Sequence, residues 1–179
     1  MLKDHRTIPE NSLLNKEAQR YDYKDSFRLT LARTDVEPWE LVAAFLQSAP
    51  GWVDTLFILR NKIVGLLGLK TDLADLNKLN PPYETGRRFG LFKLLAINHN
   101  EAVLGEDDKH LNFRVSLLVD RAQENSLVVS TVVNINNRLG KAYFFVVKPF
   151  HRFIVPIMVR RMAMKIDNKS MPQYKRTGT

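Results

Sequence analysis

Apolar and polar residues alternate with period two through the centre of the chain, and that alternation predicts consecutive β-strands. Leu111, Phe113, Val115, Leu117 and Val119 fall on one side of a segment 111–120, with Asn112, Arg114, Ser116 and Asp120 on the other. Leu127, Val129, Thr131, Val133 and Ile135 repeat the pattern over 127–135. Strands are also expected over 25–32, where Phe27, Leu29 and Leu31 share a side, over 92–99, over 101–105, and over 141–147, where Tyr143, Phe145 and Val147 share a face. Polar stretches of a few residues join the later strands: Glu106-Asp107-Asp108, Gln123-Glu124-Asn125, and Asn136 to Gly140, with Asn and Gly supplying positive φ. Connections so short exclude helical crossovers, so these strands are antiparallel neighbours.

The period becomes helical in three places. Thr34 or Asp35 can cap a helix with Pro38 near its first turn, carrying Trp39, Leu41, Val42, Phe45 and Leu46 and breaking at Ser48-Ala49-Pro50-Gly51. A second helix is expected from Trp52, with Trp52, Leu56, Leu59, Ile63 and Leu66 on one stripe. A long helix is expected from about Phe150 to Lys165, after Lys148-Pro149 cuts the strand pattern. Phe150, Ile154, Ile157, Arg161 and Lys165 line one of its stripes, with Phe153, Met158 and Met162 beside it. Pro149 is tolerated in a first turn. Pro156 lies inside, where it removes a backbone bond and bends the axis. Residues 71–90, with Asn80-Pro81-Pro82 and Gly86-Arg87-Arg88, specify no definite element; a loop with a short helix, a lid or a hidden strand all fit.

The fold class expected is α+β: a curved antiparallel sheet wrapped around a long C-terminal helix, with two short helices after the first strand. A broad apolar face on such a sheet needs a cover, and the long helix is the element available for it. The organisation expected is an N-terminal arm over 1–22, one domain over 23–166, and a basic, disordered tail over 167–179.

Composition adds limits. With 179 residues, 45% hydrophobic and 26% charged, the chain suits one domain with a sizeable core. Cysteine is absent, which excludes disulfides, thiolate metal sites and a Cys nucleophile. No apolar leader follows Met1, and the apolar stretch 55–69 is interrupted by Arg60 and Lys62 and falls short of the roughly 20 residues that span a bilayer. No transmembrane segment and a cytoplasmic location are therefore expected. The net charge is +8, and its distribution is uneven: residues 138–179 carry +9 and the rest of the chain −1. Cations at a helix end and a solvated tail explain part of this. Weak association of the basic C-terminal region with an anionic surface or acidic partner explains it too. Aromatic residues are not interleaved with the charges on strands, so nucleic acid is not expected as a partner.

The order of one strand (25–32), paired helices broken at Pro50-Gly51, antiparallel strands over 92–147 and a helix from Pro149 resembles the START-like helix-grip superfamily. That superfamily includes the birch-pollen-allergen fold, lipid-transfer START domains and polyketide-cyclase-like domains. Gly51-Trp52-Val53-Asp54, Leu59-Arg60-Asn61 and Val147-Lys148-Pro149-Phe150-His151-Arg152 with Ile154-Val155-Pro156 look like a bacterial family of unknown function within it. The resemblance covers about residues 22–166. Six strands are counted where that fold has seven.

The resemblance implies a cavity between sheet and long helix that takes a hydrophobic or amphipathic small molecule, lipid- or polyketide-like. Trp52, Phe92, Leu94, Phe113, Val115, Val133, Tyr143, Phe145, Ile154, Ile157 and Met158 are the lining expected, with Asp54, Arg60 and His99 as polar anchors. The rival reading of the same residues is a solid core. His99, His110 and His151 have no ligand spacing, so no metal site is expected and no cofactor is implied. No catalytic motif stands out. A non-catalytic binder is the first expectation; a cyclase- or hydrolase-type enzyme using Tyr143, His99 or Asp54, and an interaction protein using the basic end, are the alternatives.

Overall fold

The computed structural model describes residues 2–5, 7–15, 21–51, 83–122 and 124–168. Seven strands form one antiparallel sheet: β1 (Lys3–His5), β2 (Tyr23–Thr30), β3 (Arg88–Phe89), β4 (Phe92–Ile97), β5 (Glu101–Asp107), β6 (Leu111–Asp120) and β7 (Ser126–Ile135). Their order across the sheet is β1-β2-β7-β6-β5-β4-β3, curved and unclosed, with the shortest strands at the two edges. Helix α1 (Pro38–Leu46) follows β2, and helix α2 (Arg138–Asp167) ends the fold. The α+β class and the sheet-plus-terminal-helix plan read from the sequence are what the chain adopts. The helix expected from Trp52 lies outside the described residues.

Register fixes which side chains share a face. Phe27 of β2 stands opposite Val129 of β7, which stands opposite Leu117 of β6, which stands opposite Ala102 of β5. The next row runs Asp25, Thr131, Val115, Leu104, Leu94. The row beyond runs Tyr23, Val133, Phe113. A register shift between Leu94 and Ala96 turns both Leu95 and Ala96 to the outer face. The inner face packs with α1 and the second half of α2 around Leu41, Val42, Phe45, Val159, Met162 and Ile166. Each such side chain removed from water contributes roughly 1.5–3 kcal/mol.

The outer face is held by the N-terminal segment. Leu14 packs on Val103 and Val132, with Ile8, Leu13 and Tyr21 against them. Glu101, only 1% exposed, accepts bonds from Ser12 Oγ at 2.7 Å, from the Leu13 amide at 2.7 Å and from Ser116 Oγ. Part of what reads as a loose polar arm is thus tied into the sheet, and its β1 supplies one edge.

One stretch differs sharply from expectation. Residues 141–147 are helix, not strand, and α2 begins at Arg138 rather than Phe150. Asn137 has an extended backbone and caps the helix, its Oδ1 accepting the Gly140 amide at 3.0 Å. Gly140 is required there, because a Cβ would run into the His110 carbonyl. Seven residues whose apolar positions alternate also place Tyr143, Val147, His151 and Ile154 at helical intervals, and short runs do not separate the two periods. Pro149 is therefore interior, like Pro156. Neither has an N–H to donate to the carbonyl four residues earlier, that of Phe145 or Arg152. The C-terminal end of α2 is fixed by Asp167 Oδ1, which accepts the amides of Ala32 and Arg33 at 3.0 and 3.1 Å. Arg33 also bonds Glu40 of α1 at 2.9 Å and the Ile166 carbonyl at 3.2 Å.

Candidate functional site

The row Asp25–Thr131–Val115–Leu104–Leu94 crosses an apolar face, yet its first two members are polar and buried. Asp25 is 6% exposed. Two donors converge on its Oδ2: the Tyr23 hydroxyl at 2.7 Å and His151 Nε2 at 3.0 Å. Its Oδ1 has no hydrogen-bond partner among the described residues. A buried acceptor left unpaired costs about 1–3 kcal/mol, so this oxygen is a standing demand for a donor.

Each group arrives by local rules. Tyr23 and Asp25 are two apart on β2 and so share the inner face. His151 comes from the middle of α2, on the side that carries the half-buried Val147, Ile154 and Val155. Around them the Tyr23 ring meets Phe144 edge-on at 5.1 Å and His151 at 5.9 Å, and the Lys148 ammonium sits 5.3 Å from its centroid. Burial, then the hydrogen bond and charge of Asp25, hold the Tyr23 phenol far above its ordinary pKa; a hydrogen bond from Arg152 pulls the other way. The arrangement is a protonated phenol and an imidazole sharing one carboxyl oxygen, with the second oxygen buried and without a hydrogen-bond partner among the described residues. It can orient a hydroxyl or ammonium group, and the imidazole can relay a proton. The described residues contain no cluster of acidic and histidine groups able to hold a metal ion.

The sequence-derived lining divides three ways. Leu94, Val115 and Val133 are buried on the inner face, and Phe92 and Phe113 stand half-buried beside Phe45, with ring contacts of 5.0 Å (Phe45–Phe92) and 5.8 Å (Phe92–Phe113). The α1 end of the face is therefore filled by packing. Tyr143, Ile154, Ile157 and Met158 are half-buried on α2. Phe145 is 81% exposed and turned outward, a consequence of its stretch being helix instead of strand. His99, expected beside the cavity, is exposed in the turn between β4 and β5, because β4 ends at Ile97. Trp52, Asp54 and Arg60 lie outside the described residues. A surface hollow of about 360 Å³ lies elsewhere, where Gln47 after α1 meets Arg161, Met164, Lys165 and Asn168 at the end of α2.

Sequence reasoning passed over Tyr23 and Asp25. The signal was present: two polar residues in phase with Phe27, Leu29 and Leu31, at positions where an inward-facing strand should be apolar.

Fold and site define an α+β domain whose antiparallel sheet carries a partly satisfied polar cluster under a long terminal helix. The chain belongs to the family described as "Protein of unknown function (DUF2867)", whose model matches residues 17–158. Comparison with curated proteins gave no match, and neither did comparison with solved structures.

Proposed function

We propose that this protein is a non-catalytic binder of a small amphipathic molecule, lodged between the inner face of the sheet and the middle of α2. The observation that carries the reading is Asp25 Oδ1, buried and unpartnered beside His151 and Tyr23. The ligand's polar end supplies the missing donor, a hydroxyl or an ammonium group. Its apolar part lies along the half-buried Tyr143, Ile154, Ile157 and Met158 and the buried Val133, gaining roughly 25 cal/mol for each Å² withdrawn from water. The element order supports a kinship with the helix-grip, START-like proteins, and with it a cytoplasmic carrier or sensor rather than an enzyme.

The test is displacement of Nile red, a neutral apolar dye. A long-chain alcohol or amine is expected to compete, and a carboxylate of the same chain length to compete about tenfold less well, since it offers Oδ1 no donor at neutral pH. Asp25→Asn should erase that preference. Absence of dye binding, or a preference unchanged in Asp25→Asn, overturns the proposal.

An acid–base enzyme is a second reading, favoured by the 3.0 Å contact of His151 Nε2 with Asp25 Oδ2. It predicts chemical change of the bound ligand, read by mass spectrometry, that stops in His151→Gln while binding persists.

A further inference from the structure

Every large apolar side chain that stands exposed among the described residues is on α2: Leu139, Phe145, Val146, Phe150, Phe153 and Met164. Five of the six fall between Leu139 and Phe153. On a helix of 3.6 residues per turn, Phe145, Val146, Pro149 and Phe153 follow one another at steps of one, three and four, so they form one continuous outward stripe. Phe145 is 81%, Phe153 74% and Phe150 45% exposed, whereas every other phenylalanine among the described residues is buried wholly or in part. Soluble surfaces rarely keep large apolar groups contiguous without a use for them.

Charge says what that use is. From Arg138 to Ile166 the helix has seven cations and no acid; its first acid is Asp167. Lys141, Lys148 and Arg152 fall seven and four residues apart and run along one flank of the stripe, and Arg160 lies further along it. Aromatic rings beside a row of cations match the boundary between anionic headgroups and acyl chains. The same charges oppose a second copy of this face, which would bring seven cations against seven. By length and composition α2 is apolar enough to cross a bilayer. Its other side, however, packs through Val159, Met162, Ala163 and Ile166 into the core of the sheet, a contact that crossing would break.

We propose that α2 from Leu139 to Phe153 is a membrane-docking surface, lying in the plane of an anionic phospholipid bilayer with Phe145, Val146, Phe150 and Phe153 at the headgroup boundary. The apolar stripe stands on the outer side of the helix and the ligand reading on the inner side; Lys148 and Arg152, which also reach Tyr23, lie between them, and the test below acts on Phe145 and Phe153 alone, so either can fail by itself.

The experiment uses the full chain with vesicles of phosphatidylglycerol and phosphatidylcholine, and with vesicles of phosphatidylcholine alone. Phe153→Trp is read against the wild type, whose Trp39 and Trp52 set the background. Mixed vesicles are expected to blue-shift the added tryptophan and expose it to quenching by spin-labelled acyl chains, while neutral vesicles do so far less. Phe145→Glu with Phe153→Glu should lower co-sedimentation about tenfold or more, with an unchanged circular dichroism spectrum and melting curve. Three results overturn the proposal: no spectral change with anionic vesicles; an added tryptophan already blue-shifted and shielded in buffer, which means residues of the same chain or a second copy cover the face; or sedimentation that vanishes in salt yet ignores the glutamate pair, which means charge attraction without insertion.

Discussion

Two carboxyl groups are buried on opposite faces of one sheet, and the chain treats them differently. Glu101 on the outer face has all its oxygens loaded, by Ser12 Oγ, the Leu13 amide and Ser116 Oγ. Asp25 on the inner face has one oxygen doubly loaded by Tyr23 and His151 and the other left bare. A fully satisfied buried network rigidifies what it joins. Glu101 joins the N-terminal segment to β5 and β6, and nothing remains for a ligand to do there. An incompletely satisfied one keeps a demand in reserve, and it lies between the inner face of the sheet and the middle of the long helix.

The contrast can be broken most forcefully at Glu101. Glu101→Gln presents an amide to hydroxyl and N–H donors arranged for a charged acceptor, and should cost about 3 kcal/mol in urea unfolding. Hydrogen exchange at the Leu13 amide should accelerate with it. If stability is unaltered, Glu101 is not the clamp described. Gly140→Ala comes next: the added methyl meets the His110 carbonyl at the start of α2, and a loss of about 1–3 kcal/mol is expected from the melting curve. Asp25→Asn should be much milder, within about 1 kcal/mol of wild type, since an amide retains an acceptor and the bare oxygen had nothing to lose. A loss as large as that of Glu101→Gln would make Asp25 a structural group and remove the contrast. The smallest effect is at Tyr23. Its folded pKa is raised above the unfolded phenol value near 10, so the stability linked to it is complete below that pH and declines as pH rises through the folded value. Tyr23→Phe should therefore flatten the alkaline loss of stability seen in urea titrations above about pH 10. An unchanged alkaline slope would mean that burial and Asp25 do not hold the phenol above its ordinary pKa.

How much of this was legible depends on the burial of each element. β6 and β7 read cleanly because Phe113, Val115, Leu117 and Val119, and Leu127, Val129 and Val133, repeat every second residue between polar turns. The body of helix α1 was legible because Pro38 opens it and its apolar residues keep helical spacing, although its N-cap is Glu37 and not Thr34 or Asp35. β2 was placed two residues late, over 25–32 instead of Tyr23–Thr30, because its inward positions 23 and 25 are polar. One of the residues left outside, Tyr23, belongs to the candidate site. The first half of α2 was misread for another reason: over 141–147 its apolar residues fit the strand period as well as the helical one, and Pro149 looked like a beginning. β1 and β3, of three and two residues, are too short to carry a period; β3 lies in the stretch 71–90 that specified no definite element.

The two outermost strands have a further effect. A long bare edge invites a neighbouring chain to add its own strand, and from there to stack without limit. Here the flanks are stubs of three and two residues, offering an incoming backbone almost no ladder to climb. Short flanks of this kind steer crowded copies away from fibrillar association through the sheet.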